Sequence, residues 1–311
     1  MLRQVLLHAS RSDAIRSLVE TAPVSRQVVR RYVPGTDPLD AVRASEELLA
    51  QGLTTSLDHL GEDTADPDQA RTVRDAYVTV LGLLSEVDLT QGGRVEVSVK
   101  LSAVGQALGA DGEKIALENA RAICEAAAAA GTTVTLDMED HTTTDSTLAV
   151  LRELRQDFPW VGAVLQAYLH RTESDCADLA TAGSRVRLCK GAYKEPPSVA
   201  FQTPGEVDLS YVRCLKVLMA GGGYPMVATH DPRMVAIAGA LAVKNRRTPG
   251  DHEYQMLYGI RPEEQRRLAG DGQTVRVYVP YGQEWYGYLM RRLAERPANV
   301  AFFLRSLVSR G

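Results

Sequence analysis

A barrel of eight parallel β-strands ringed by helices, an α/β fold, is what this sequence predicts, on three observations. Eight short apolar segments alternate with helical stretches from residue 53 onward, and eight is the number that closes such a barrel. The 311 residues are long for one ordinary domain and normal for one barrel. No Gly-x-Gly-x-x-Gly follows the first strand, which weakens the doubly wound alternative.

The elements follow in chain order. Residues 1–50 read as a helical arm broken at Pro23 and at Pro34-Gly35, and residues 51–311 as the barrel domain. The strands are expected at Thr54–Leu60, Arg94–Leu101, Thr132–Met138, Val161–Leu169, Arg185–Gly191, Pro225–Thr229, Glu253–Tyr258 and Thr274–Pro280. Each is mostly apolar or β-branched and bounded by glycine, proline or polar residues. Helices are expected between them at 67–88, 111–130, 145–157, 172–182, 206–221, 231–244 and 262–270. The run Ala126–Ala130, stopped by Gly131, is a helix end with a glycine cap, not a linker.

Composition narrows the function classes. Apolar residues make up 45% of the chain, enough for a large core, and the net charge is −4 with no basic block, which argues against a nucleic-acid partner. Cys124, Cys176, Cys189 and Cys214 lie far apart without Cys-x-x-Cys spacing, so they read as buried thiols in a reducing compartment. No apolar run reaches the length of a membrane span, and the N-terminus turns polar too soon for a signal peptide. The expected location is cytoplasmic.

In a parallel barrel, function gathers at the C-terminal strand ends. Those ends carry Asp58 and Glu62, then Lys100, then Asp137, Glu139 and Asp140. Gln166 and Tyr168 follow on strand four, and Arg187, Lys190, Gly191, Ala192 and Tyr193 on strand five. Strand six ends in Thr229-His230-Asp231, strand seven in Leu257-Tyr258, and strand eight carries Tyr278. A charge inside an apolar strand, as in Val-Ser-Val-Lys100-Leu, is costly unless paired, and Asp137 on the next strand is the natural partner. Near the C-terminus, Tyr288, Arg291, Arg292 and Glu295 fall at i, i+3, i+4 and i+7, one face of a helix, with Trp285, Leu289 and Leu293 on the other. Adjacent guanidinium groups can grip a carboxylate through paired N–H donors. No carboxylate–histidine set at metal-ligand spacing accompanies His230, so no metal is expected, and His59, His141 and His252 read as incidental.

The segments Val-Ser-Val-Lys100-Leu-Ser, Leu-Asp137-Met-Glu-Asp, Gln166-Ala-Tyr, Val-Arg187-Leu-Cys-Lys190-Gly-Ala-Tyr193, Ala-Thr-His230-Asp and Tyr288-Leu-Met-Arg-Arg-Leu-Ala-Glu295 resemble, in order, the motifs of the proline dehydrogenase family. The resemblance spans roughly residues 53–300 and is closest to the short bacterial form without an aldehyde dehydrogenase domain. It implies a distorted (βα)8 TIM-type barrel holding FAD, with the eighth helix over the barrel mouth. It also implies oxidation of L-proline to Δ1-pyrroline-5-carboxylate, the first step of proline catabolism to glutamate, with electrons passed to a membrane quinone. By the same resemblance Arg291 and Arg292 clamp the proline carboxylate, Lys100 adds a positive group oriented by Asp137, and Glu62 pairs with Arg291. Tyr278, Tyr288 and Leu257 would enclose the proline ring. Gln166, Arg187, Lys190, Gly191, Ala192, Tyr193, Thr229, His230, Arg292 and Glu295 would face the flavin. Quinone reduction brings in the bilayer, and the apolar stretch Val300–Val308, with Arg305 and Arg310 at its margins, could lie on the inner membrane face or pack on the barrel.

The resemblance leaves the substrate open to close analogues of proline, and two other readings compete. An aldolase-type barrel would use Lys100 or Lys190 as a Schiff base, but leaves the arginine pair and Tyr278 without a task. A non-catalytic amino-acid binder would keep the arginines and has no need of Arg187, Lys190 and His230. The residues leave the oligomeric state open.

Overall fold

The computed structural model describes residues 29–61 and 64–295, with side chains to Arg292. Eight parallel strands close into a barrel in sequence order: β1 (Thr54–His59), β2 (Val95–Lys100), β3 (Val134–Asp137), β4 (Gly162–Gln166), β5 (Arg185–Cys189), β6 (Tyr224–Ala228), β7 (Glu253–Leu257) and β8 (Val275–Tyr281). The closing pair β1–β8 aligns Ser56 with Tyr278, and β2–β3 aligns Lys100 with Asp137. The helices are α1 (Pro38–Leu49), α2 (Pro67–Glu86), α3 (Gly112–Ala129), α4 (Thr144–Asp157), α5 (Thr172–Leu179), α6 (Pro204–Ala220), α7 (Pro232–Lys244), α8 (Pro262–Gly270) and α9 (Trp285–Glu295).

Local chemistry starts several of these helices in the same way. Asp37-Pro38, Asp66-Pro67, Thr203-Pro204 and Asp231-Pro232 each place a capping oxygen on an early helical N–H and a proline where no N–H is needed. Two elements end three residues earlier than the sequence predicts. The segment predicted as Val161–Leu169 stops being a strand at Gln166, because residues 167–170 bend to bond the loop after β5; Leu169 and Ala200 form an antiparallel bridge there. The helix predicted over 172–182 ends at Leu179, ahead of a turn at Gly183, whose φ of +77° suits glycine.

The barrel is lined with polar groups. Val95, Val97 and Val99 of β2 face outward into the apolar layer beneath the helices, while Glu96, Ser98 and Lys100 alternate inward. At the base, Glu96 bonds Arg185 at 2.7 Å and Glu253 bonds Arg276 at 2.8 Å. Sequence reading placed the polar ring at one end; the structure extends it through the depth of the barrel, because these inward strand positions are charged at successive levels.

α1 packs against β1, β8 and α2, and buries Ala41, Val42, Ala44 and Leu48 in the core shared with the barrel. It fills the ring position between β8 and β1. That leaves α9, the helix after β8, to lie over the C-terminal mouth. There its apolar side (Trp285, Leu289, Met290) is covered with Tyr32, Val33 and Leu60, while Arg292 reaches the cavity below.

Candidate active site

A cavity of about 640 Å³ opens at the C-terminal ends of the strands, within the usual range for a cofactor or substrate site. Its wall takes Asp137 from β3, Gln166 from β4, Arg187 with the loop Lys190-Gly191-Ala192-Tyr193 from β5, and Thr229 and His230 after β6. Leu257 of β7, Tyr278 of β8 and Arg292 of α9 complete it. Met138, Val164, Ala228 and Met256 supply apolar surface between them.

Asp137 organises the centre. Its Oδ1 accepts from Arg187 Nη1 at 2.6 Å and from the Ser98 hydroxyl at 2.8 Å, and its Oδ2 accepts from the Tyr278 hydroxyl at 2.7 Å. Arg187, 4% exposed, reaches across the barrel to bond Ser98 Oγ as well at 2.9 Å, and its guanidinium lies 5.4 Å from the Tyr278 ring centre. Burial, with the Asp137 and Asp58 carboxylates nearby, holds the Tyr278 phenol well above its ordinary pKa, so it stays a proton donor to Asp137.

Lys100 pairs with the expected Asp137 and, more closely, with Asp58. Its Nζ bonds Asp58 Oδ2 at 2.6 Å and the Tyr278 hydroxyl at 3.3 Å, and stands 3.8 Å from Asp137. Asp137 is taken up by Arg187, Ser98 and Tyr278, and Asp58, 1% exposed, is the carboxylate that needs a cation. Burial pushes the Asp58 carboxyl up while Lys100 pulls it back. Asp58 and Ser98 are the site residues whose importance sequence reading missed. The signal was there, since each is a polar residue at an inward position of its strand, in Thr-Thr-Ser-Leu-Asp58-His and Val-Glu-Val-Ser98-Val-Lys.

On the far wall, Gln166 donates to the Glu139 carbonyl at 2.5 Å. Lys190 bonds Asp208 at 2.5 Å and Asp231 at 3.0 Å. His230 Nε2 accepts from the Leu257 backbone N–H at 2.9 Å, which makes the ring neutral and leaves the proton on Nδ1. Burial pushes the Cys189 thiol up to about 11, so it is no thiolate nucleophile at neutral pH. Tyr288 is 6% exposed, with the Arg292 guanidinium 5.2 Å from its ring centre. Arg291, half-buried, is the next residue on the same turn and is not part of the cavity wall. Glu62 and the side chain of Glu295 lie outside the described residues. Among the described residues no cluster of His, Cys, Asp or Glu is placed to hold a metal ion, and no helix is long and apolar enough to cross a membrane.

Two features fit a flat, polar-edged cofactor. Arg187 Nε is buried on this wall without a protein acceptor. Gly191, at φ +107°, lays its backbone in the wall with the Tyr168 ring directly behind, where a Cβ would come within 2.3 Å. Neither feature serves a Schiff-base enzyme. Lys100 and Lys190 are both engaged by carboxylates, an arrangement that holds a cation instead of presenting a nucleophile.

Comparison with known proteins agrees with this geometry. The family described as proline dehydrogenase matches residues 41–305. Proline dehydrogenase 1 of Bacillus subtilis (strain 168) is 37% identical over 310 residues, covering 100% of both chains. Proline dehydrogenase of Deinococcus radiodurans is 38% identical over 283 residues, covering 90% of each. Among solved structures, proline utilization A from Bdellovibrio bacteriovorus superposes with a TM-score of 0.78 at 25% identity; the match covers 86% of this chain and 32% of that longer one.

Proposed function

The chain belongs to the proline dehydrogenase family, and we propose that it oxidises L-proline to Δ1-pyrroline-5-carboxylate with FAD in the cavity at the barrel mouth. The observation that carries this reading is the meeting of Arg292, from the helix over the mouth, with Asp137, Arg187 and Tyr278 from the strands, around one cavity. A carboxylate-binding cation thereby stands beside a wall suited to a flavin.

When bound, FAD supplies the acceptor for the electron pair and hydrogen that leave the proline ring. The chain supplies position and field. Arg292, in the cavity wall, grips the carboxylate, and Arg291, beside it on the same turn but outside that wall, is proposed to join it when proline is bound, with Lys100 adding positive charge and Glu62 holding Arg291. Tyr278, Tyr288 and Leu257 enclose the ring, which fixes the reacting carbon at short range. Gln166, Arg187, Lys190, Gly191, Ala192, Tyr193, Thr229, His230, Arg292 and Glu295 form the cofactor's surround. Arg187, charged and buried, favours negative charge developing next to it. The proposed electron acceptor is a membrane quinone, reached from the inner face of the cytoplasmic membrane, and the apolar stretch 300–308, which lies outside the described residues, is the proposed bilayer contact. Undiminished liposome binding by a chain ending at residue 298 would refute that contact.

The primary test is the visible spectrum of the purified protein, recorded anaerobically before and after L-proline. A flavin spectrum that bleaches on proline supports cofactor, substrate and reductive half-reaction at once. A flavin indifferent to proline would overturn the substrate. No flavin after FAD is supplied would overturn the reading, and borohydride trapping on Lys100 and Lys190 would follow.

A further inference from the structure

The loop after β5 contributes Gly191, Ala192 and Tyr193 to the cavity wall. Besides the backbone bond from Tyr168 N–H to the Lys190 carbonyl at 2.9 Å, the loop is tied by a side chain outside that wall, Glu195, which is 8% exposed. One carboxylate oxygen accepts from the His141 backbone N–H at 3.0 Å and from the Tyr168 hydroxyl at 3.2 Å. The other bonds His141 Nδ1. His141 lies in the turn after β3 and Tyr168 in the stretch after β4. A buried carboxylate is tolerated where such donors converge on it. Burial and the nearby carboxylate push the Tyr168 phenol far up, so it stays the donor in this bond.

The flanks make this attachment decisive. On one side, Gly191 adopts φ +107° against the Tyr168 ring and leaves the backbone permissive. On the other, Pro196-Pro197 has fixed φ and leads to the bridge between Leu169 and Ala200. Glu195 sits where the permissive stretch meets the stiff one, and ties it to two strand ends.

We infer that Glu195 is a positioning residue for the cofactor: through His141 and Tyr168 it latches the Gly191–Tyr193 wall against the barrel without touching the cofactor itself. His141, incidental in the sequence, is one jaw of that latch. The inference rests on the FAD reading above.

The experiment titrates FAD into apoprotein of wild type, Glu195→Gln and Tyr168→Phe, following flavin fluorescence, and records the apoprotein Tm and the bound-flavin spectrum. Loss of the charged acceptor should weaken FAD about tenfold in Glu195→Gln, and loss of one donor about threefold in Tyr168→Phe. The apoprotein Tm should stay near wild type, the flavin bands should shift, and KM for proline at saturating FAD should hold. Wild-type affinity in Glu195→Gln would overturn the inference, as would a loss of affinity that merely tracks a fall in Tm. Should Glu195→Gln fail to fold, the same two outcomes in Tyr168→Phe decide. Wild type that binds no FAD would remove the premise and the inference with it, a result distinct from equal binding by all three proteins.

Discussion

Lys100 donates to Asp58 across β1 and β2 at 2.6 Å, and lies 3.8 Å from Asp137, its register partner in the neighbouring strand. The closer pair is the one nearly excluded from water, with side chains 14% and 1% exposed. A double-mutant cycle in urea unfolding should therefore find coupling of about 2–3 kcal/mol between Lys100→Met and Asp58→Asn, and under about 1 kcal/mol between Lys100→Met and Asp137→Asn. Equal couplings would contradict the assignment.

Glu96 should set part of the acid stability. Burial opposes its ionisation, but Arg185, Arg276 and Arg187 together outweigh that and hold its carboxyl well below the ordinary range. A depressed folded pKa contributes stability above the unfolded value and loses it as pH falls toward the folded one. Glu96→Gln should cost about 3–5 kcal/mol at pH 7, since it strands buried arginines. The penalty should shrink as pH falls below about 4.5, the unfolded carboxylate value. Denaturant midpoints at pH 7 and pH 4 check both; a penalty independent of pH would refute the ionic account.

The arginine pair on α9 should be sensitive to geometry as well as charge. Arg291→Lys and Arg292→Lys each keep the cation and lose the planar fork. We expect about 1.5–3 kcal/mol of lost kcat/KM, roughly 10- to 150-fold. Steady-state kinetics on proline with either lysine variant unchanged would remove that residue from the carboxylate clamp.

Tyr278 should restrict the substrate. Held by Asp137 at 2.7 Å, its ring has little freedom to make room for an added hydroxyl at the proline 4-position. Discrimination of about 1–3 kcal/mol against 4-hydroxyproline is expected. Comparable kcat/KM on the two substrates would argue that the ring faces elsewhere.

Gly191→Ala combines two faults. The new Cβ would meet the Tyr168 ring at 2.3 Å, and φ +107° is strained for any L side chain. Flavin affinity should fall by about 2 kcal/mol, some 30-fold. Trimming the ring in Gly191→Ala/Tyr168→Leu should restore only the steric part. Full affinity in the single variant would mean that the wall does not support the cofactor.

Sequence by itself determined the architecture of this protein: the strand–helix alternation, the helix starts and the chemistry at the strand ends are local patterns, readable from periodicity and capping residues. It also placed Tyr288, Arg291 and Arg292 on one helix, since 3.6 residues per turn decides that without any neighbour. Which inward side chains meet was settled only by closing the sheet. Register and strand tilt bring Arg187 to Ser98 and Asp137, Lys100 to Asp58, and Glu96 to three arginines, pairs up to 180 residues apart. Likewise, only packing could show α1 in the ring position beside β8, or Glu195 with three donors from two other loops. A charge in a strand announces that it needs a partner; the geometry of the closed barrel names it.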